Sequence, residues 1–470
     1  MWWWLVACGG PAAAPPTSAT PTAPEPSSVA TTTAADTGPP LTETSATSAD
    51  TGVQPTLHAD CQLDDDNGLR AWCDITVDPP QPVEVTFASV DGGPSRVHTS
   101  EASVGEHRVG LFIMRPETDY AWSARTMGSE ASSTGTFTTG ELPVEAQLIQ
   151  SSQGLATHQR FLHASPCQDR GMVVVTDVDD GVVWYHAFPP DKVVALQHTR
   201  DDTIITLVGS DILEIDWMGQ PVRTMSTQRL LHHDVYRADG GLTYALFKET
   251  QKGVPPFIVD GFVVLDSGGA ELGVWRLADH YPPQARHPVH GLDVHHANSI
   301  HVENGVALVS VRHTSMIVAV AADPALPDFG TVLWSLHGKP NATRAPTEYA
   351  LTASAGGSAT FKEQHHAVMQ PDGRLTLFDN RVAADQNSRG LVIRLDAGVA
   401  DIEEVYELTR HCNYQGGMAL GAAGNPVLNC ADRGLAYEFD TKTAEITWQQ
   451  DTACATGTSG MIPRFVPVDP

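Results

Sequence analysis

Asp177-Val178-Asp179-Asp180-Gly181-Val182-Val183-Trp184 runs from an apolar strand through a polar turn into a second strand that carries an aromatic ring. The same grammar returns at Leu265-Asp266…Val274-Trp275, Val320…Asp323…Leu333-Trp334, Leu395-Asp396…Val405-Tyr406 and Phe439-Asp440…Thr447-Trp448. A weaker copy is Ile215-Asp216-Trp217-Met218-Gly219-Gln220-Pro221-Val222. Six sheet-forming units of unequal length, with few helical periodicities between them, predict an all-β chain folded as a six-bladed β-propeller. One large irregular β-sandwich is the alternative. In a propeller the first strand of each blade lines the central channel.

Three histidine-bearing segments interleave with these units. They read His232-His233-Asp234-Val235…Gly240-Gly241-Leu242, His295-His296-Ala297-Asn298-Ser299…Gly305-Val306-Ala307-Leu308 and Gln364-His365-His366-Ala367…Asp372-Gly373-Arg374-Leu375. Twelve of the 20 histidines lie between Leu231 and His366. On the blade count these segments open the third, fourth and fifth blades, so their imidazoles converge near the axis. Imidazole serves as nucleophile, acid, base or metal ligand near neutral pH. Strand residues alternate faces, so one histidine of each doublet should face the channel while the other packs between blades or meets solvent. Counting back from the turn glycine, His233 to Gly241 and His365 to Gly373 are each eight positions, and His296 to Gly305 is nine. Counting from Gly240 instead pairs His233 with His366.

The remaining chain sets the surroundings. With 28 Lys+Arg against 56 Asp+Glu the net charge is −28, which repels nucleic acid and anionic headgroups. Leu5-Val6-Ala7-Cys8 matches a bacterial lipobox, whose cysteine is acylated. The apolar stretch before it is short and lacks a basic leader, so residues 1–8 are expected to be a lipoprotein signal with a truncated start. Residues 9–55 are almost wholly Pro, Ala, Thr and Ser, a composition that cannot bury a core and predicts a disordered stalk. Together these predict a lipid-anchored protein of the bacterial cell envelope, on the periplasmic or outer-membrane surface. No later apolar run approaches the ~18 residues of a membrane span, so the anchor is the expected membrane contact. An exported chain is free to oxidise its six other cysteines, and no Cys-x-x-Cys occurs. Cys61 with Cys73 and Cys412 with Cys430 are candidate local bridges, which leaves Cys167 with Cys454.

Residues 57–140 alternate in strand fashion, with Val83, Val85 and Phe87, and then Tyr120, Trp122 and Ala124, at period two. The run Met114-Arg115-Pro116-Glu117-Thr118-Asp119-Tyr120-Ala121-Trp122, closed by Thr136-Phe137-Thr138-Thr139-Gly140, resembles a fibronectin type III domain. That resemblance implies a small β-sandwich acting as spacer or lid, with no chemistry of its own. The repeats that follow place the propeller, expected to be the catalytic domain, over residues 150–460.

Asp293-Val294-His295-His296-Ala297-Asn298-Ser299-Ile300, followed by Ser310-Val311-Arg312-His313, resembles the bacterial arylsulfotransferase family. There the pattern is Asp, Trp, then His-x-Asn-Ser, with an Arg ending the next strand. His232-His233-Asp234-Val235 is similar to that family's His-His-Asp motif, and Gln364-His365 with Leu377-Phe378-Asp379-Asn380 to its Gln-His…Phe-Asp-Asn motif. Two departures stand out: Val294 where Trp is usual, and His366 where an acid is frequent. The resemblance implies sulfuryl transfer from a phenolic sulfate to a phenol through a sulfated histidine, with no nucleotide donor and no cofactor. His365 is then the nucleophile. Arg312 and Asn298 suit the sulfuryl oxygens. His296, with His233 beside it, suits acid–base work on the phenol. Two rivals remain. One is a metal-dependent enzyme ligated by these histidines, although no carboxylate in the segments clearly joins them and Arg312 opposes a cation. The other is a non-catalytic binding propeller of the envelope.

Overall fold

The computed structural model describes residues 55–469 except 103, 128–130, 168–170, 189–192, 253–255, 284–286, 288, 340–346, 382–385, 421–424 and 458–460. Cys8 and residues 1–54 lie outside the described residues. Among those described, no helix is long and apolar enough to cross a membrane. The longest α-helix among them is the single turn Leu277–His280.

Two sheets open the described chain. Thr56–Asp64, Asn67–Asp78 and Glu106–Leu111 form one; Arg96–Ser100, Val83–Ser89, Asp119–Thr126 and Ser132–Thr138 form the other. Period-two alternation turns Val83, Val85, Phe87, Tyr120, Trp122 and Ala124 inward onto Ile75, Val77 and the Cys61–Cys73 disulfide. The Tyr120 hydroxyl accepts from the backbone N–H of Arg115 at 2.9 Å, pinning the loop that leads into its strand.

Six sheets of four or five strands follow among the described residues. In the first sheet Phe465–Pro467 lies before Arg160–Ala164, so Gly181–Phe188 is its fourth strand; the other first strands are Val193–His198, Leu230–Arg237, Ala297–Glu303, His365–Met369 and Gly417–Leu420 in chain order. Each packs against the next, and Gly417–Leu420 meets the C-terminal strand Phe465–Pro467. Phe465–Pro467 pairs back onto Arg160–Ala164 in the first sheet. Leu148–Gly154, from the other end, pairs with the last strand Ile446–Cys454 of the sixth. The sheets therefore run from Leu148 to Pro467, past residue 460. Phe465–Pro467 has three residues and ends on a proline, too short for an alternation signal.

The aromatic repeat is the hairpin joining the third and fourth strands of a sheet. Trp184, Trp275, Tyr406 and Trp448 are buried on fourth strands. Each contributes on the order of 3 kcal/mol by leaving water. The second sheet differs, because Trp217 lies in the turn, where its carbonyl accepts from the Trp184 indole at 2.7 Å. The third disulfide, Cys412–Cys430, crosses the sixth sheet's entry. Cys167 and Cys454, 287 positions apart, form the disulfide that fastens the first sheet to the last. Cys167→Ser should cost about 2–5 kcal/mol and lower the thermal unfolding midpoint. An unchanged midpoint would mean that strand pairing alone holds the two ends.

Candidate active site

The three histidine segments sit at the starts of three consecutive first strands, and their backbones share one distortion. His233, His296 and His366 all have left-handed φ, at 63°, 60° and 53°. The ladder slips at the first and third doublets, between Leu231 and Val235 and between His365 and Val368, and just past the second, between Ala297 and Ser299. These are β-bulges, which re-aim side chains and suspend the alternation rule. Two sequence expectations are corrected by this. The backbone equivalents are His233, His296 and His366, so the count from Gly241 and Gly373 was misaligned by the bulge. His232 does not pack away from its neighbour either, because its Nδ1 lies 2.7 Å from His233 Nδ1.

His365 is buried at 2% exposure, and its tautomer can be assigned. The Asn380 amide nitrogen donates to the Cys412 carbonyl at 3.1 Å and the Gln415 carbonyl at 2.9 Å. That fixes Asn380 Oδ1 as the atom facing His365 Nδ1 at 2.7 Å, and the Glu363 carbonyl faces the same nitrogen at 3.1 Å. Both are acceptors, so Nδ1 carries the proton and Nε2 carries the lone pair. Burial, opposed by the Asn380 bond and aided by Arg312, Arg464 and His296, holds the imidazole well below 6.5, so it is neutral near pH 7. His366 is also held low by burial, and its Nδ1 accepts from the Met418 N–H at 3.2 Å.

The Asn-Ser pair of the neighbouring strand clamps this doublet from both sides. Asn298 Nδ2 donates to the Gln364 carbonyl at 2.7 Å, and Ser299 Oγ accepts from the Ala367 N–H at 3.1 Å. Gln364 is itself fixed by its amide on Ser310 Oγ and the Met316 carbonyl, both at 3.0 Å. Asn298 was expected to face a sulfuryl group, yet this bond turns its amide onto the backbone beside His365. Its Oδ1, an acceptor that an anion would repel, has no partner among the described residues.

Arg312 ends the next strand. Its Nη2 pairs with the Glu363 carboxylate, its Nη1 donates to His313 Nε2 at 3.0 Å, and its buried Nε has no partner among the described residues. His313 Nδ1 donates to the Asp293 carbonyl at 2.8 Å, and burial, with His296 beside it, lowers this imidazole to about 3. His290 stacks on it, with centroids 3.7 Å apart.

His296 lies between a carboxylate and an imidazole. Its Nδ1 is 2.6 Å from Asp293 Oδ2, its Nε2 is 3.1 Å from His233 Nε2, and its backbone N–H donates to Asp260 Oδ2 at 2.9 Å. Burial works to raise the Asp293 carboxyl, but the hydrogen bond and charge of His296, with His313 and His232, hold it below the usual range. Burial, then His232 and His296, keep His233 well below 6.5. A carboxylate does join the segments after all, since Asp293, His296 and His313 offer ligand atoms within 4.8 Å of one another. Both nitrogens of His313 are nevertheless engaged, one by a guanidinium.

Sequence reading thus missed Asp260, Glu363 and Arg464 altogether, and left Asp293 and Asn380 as motif letters without roles. Arg464 is buried near the C-terminus, 3.2 Å from Asp234 Oδ2, and Asp234 also accepts from the Ile300 N–H. Asp260 sits mid-strand in an apolar run, where a buried charge is the available signal.

Residues 145–402 match the family model described as Arylsulfotransferase (ASST), and the chain belongs to that family. Membership supports sulfuryl transfer in general and an enzyme of the sulfotransferase kind. No curated protein matches the chain. Similar solved structures include a protein of unknown function from Bacteroides caccae, at 12% identity and TM-score 0.45 over 67% of this chain and 100% of that one. Virginiamycin B lyase from Staphylococcus aureus follows at 9% identity and TM-score 0.34, over 65% and 99% of the chains. Likeness at this level says nothing about chemistry.

The tautomer of His365 is directly measurable. Nitrogen-15 histidine spectra should show it protonated at Nδ1 alone, and Asn380→Leu should convert it to a mixture. An Nε2-protonated ring in the wild-type protein would contradict the assignment.

Proposed function

We propose that the chain is a six-bladed β-propeller enzyme that moves a sulfuryl group from a phenolic sulfate ester to a phenol, through a sulfated His365 and without a nucleotide donor. The observation that carries this is the His365–Asn380 pair, which leaves an Nε2 lone pair on a neutral, buried ring inside the family match. The six sheets with touching first strands, closed by Phe465–Pro467 and Leu148–Gly154, support the propeller reading. The order of the preceding sandwich and its Tyr120–Arg115 bond support a fibronectin type III-like domain. Acylation at Cys8 and an envelope location rest on the Leu5-Val6-Ala7-Cys8 sequence and the stalk composition.

In the first half-reaction the Nε2 lone pair of His365 forms an N–S bond as the S–O bond to the aryl group breaks. The phenolate leaves with that electron pair and takes a proton from His296, assisted by His233. In the second, the acceptor phenol returns a proton to His296, its oxygen attacks sulfur, and the N–S electrons go back to His365. Splitting the displacement through a covalent adduct lowers each barrier. Arg312, whose Nε is unpartnered, offers a planar donor edge to the sulfuryl oxygens. Asn298 acts as a positioning residue, through the Gln364 carbonyl. Binding small phenolic partners needs neither nucleic acid nor a cofactor.

Supplied with 4-methylumbelliferyl sulfate and no acceptor, the protein should gain one SO₃ mass on His365 and lose it when phenol is added. His365→Ala should abolish adduct and turnover. Adduct on His366, or full turnover by His365→Ala, would move the nucleophile.

Arg312→Lys should lower kcat/KM by roughly 10-fold or more, since Lys presents a point charge in place of a fork. Unchanged kinetics would take Arg312 out of the site. A chelator should leave turnover intact, because Arg312 abuts His313 where a cation would bind. Loss of activity on chelation, restored by metal, would favour the metal reading.

A further inference from the structure

We infer that His232 and Asp260 extend the acid–base pair into a three-imidazole chain that stores one proton, the one given to the departing phenolate and recovered from the acceptor phenol. This rests on the sulfuryl-transfer reading above. The chain is continuous from carboxylate to carboxylate. Asp293 Oδ2 is 2.6 Å from His296 Nδ1, and His296 Nε2 is 3.1 Å from His233 Nε2. His233 Nδ1 is 2.7 Å from His232 Nδ1, and His232 Nε2 is 3.1 Å from Asp260 Oδ1. The last contact lies off the hydrogen-bond axis, so the charge of Asp260 acts there through space.

Counting protons decides what the chain holds. Each nitrogen–nitrogen contact is attractive when one of its two atoms carries hydrogen and the other a lone pair. A ring nitrogen beside a carboxylate oxygen must also carry hydrogen, because two lone pairs repel. These four contacts therefore need four N–H groups, and three neutral imidazoles supply three. One proton more than neutrality is built into the geometry.

Three arrangements satisfy the count; burial and the flanking imidazoles disfavour the one that charges His233, which leaves two. In one His296 is the imidazolium, beside Asp293; His233 donates from Nδ1 to His232, and His232 keeps its Nε2 hydrogen beside Asp260. In the other His232 is the imidazolium, beside Asp260, and His233 donates from Nε2 to His296. His233 is neutral in both and changes only its tautomer, which agrees with its depressed basicity. The charge thus rests at either end, each end has a carboxylate, and the middle ring passes it. Lys248, His365, Arg312 and His313 also face the chain, the two cations opposing the stored proton and the two carboxylates favouring it. His232 and Asp260 do not contact the reacting atoms in this scheme. They hold the proton while His296 is empty, which makes them positioning residues for a charge.

Asp260→Asn isolates the claim, since an amide oxygen still accepts the His296 N–H while the charge is gone. With phenyl sulfate, whose leaving group needs a proton, kcat/KM should fall on the order of 10²-fold. With 4-nitrophenyl sulfate, whose leaving group needs little protonation, it should fall less than about 10-fold. The alkaline limb of the donor half-reaction should move to lower pH, because losing the carboxylate lowers the basicity of the chain. Equal losses on both donors with an unmoved pH profile would mean that Asp260 is structural, and would overturn the inference. A second measurement needs no variant: nitrogen-15 histidine spectra of the wild-type protein near pH 7 should show one doubly protonated ring shared between His232 and His296, with His233 neutral. Three neutral rings would also overturn it. If the wild-type protein transfers from neither donor, the sulfuryl-transfer reading fails and the delivery role with it, while the nitrogen count still decides whether the proton is stored.

Discussion

A left-handed backbone at the second residue of three histidine doublets is the constraint from which the rest of the site follows. Outside glycine such a conformation costs on the order of 1–3 kcal/mol and persists only where its neighbours over-determine it. Here they do. Asp260 takes the His296 N–H, Asn298 and Ser299 grip the chain on both sides of the third doublet, and the Met418 N–H fixes the His366 ring. In return the first doublet brings two adjacent side chains face to face where alternation would part them. This is how His232 touches His233, and how His365 keeps its place while His366 turns toward the sixth sheet.

Charge is handled locally, and the −28 of the whole chain has little bearing on it. Buried charge survives in proteins when it is paired, because the desolvation penalty otherwise exceeds any gain. Arg312 faces Glu363, Arg464 faces Asp234, and Arg389 faces Asp379 at 3.0 Å. Asp379 directly precedes Asn380, and its Oδ1 accepts from Lys362 N–H at 2.9 Å. The acceptor that sets the His365 tautomer is thus bracketed by an ion pair on one side and the Cys412–Cys430 disulfide on the other. A surface screened over about 10 Å has little say at such distances.

Much of this was legible in the sequence, for reasons that differ from element to element. Repeats announce themselves, so the hairpins carrying Trp184, Trp275, Trp334, Tyr406 and Trp448 could be aligned by eye. The doublets were visible for the same reason, and each does open a first strand. The register inside a doublet was not, because a bulge adds a residue without leaving a compositional mark. Glu363 and Asp260 were invisible for another reason. Their partners, Arg312 and His232, are 51 and 28 positions away and come together only through sheet packing. Phe465–Pro467 is too short to show any period at all, yet it completes the first sheet.

The same side chain is set to two tasks here by the charge of its acceptor. His365 gives its Nδ1 proton to a neutral amide, Asn380, whose own nitrogen is anchored so that it cannot turn round. A neutral acceptor fixes the tautomer and does little to favour a second proton, and burial disfavours that proton further, so Nε2 stays a lone pair. His296 gives its Nδ1 proton to a carboxylate, Asp293. A carboxylate stabilises an imidazolium, so that ring can hold a proton and release it. In the proposed reaction one histidine must stay bare and the other must load and unload. Exchanging Asn380 for a carboxylate would therefore make the nucleophile a better base and a worse lone pair near pH 7. The difference between Asn and Asp at the far nitrogen is what separates the two roles.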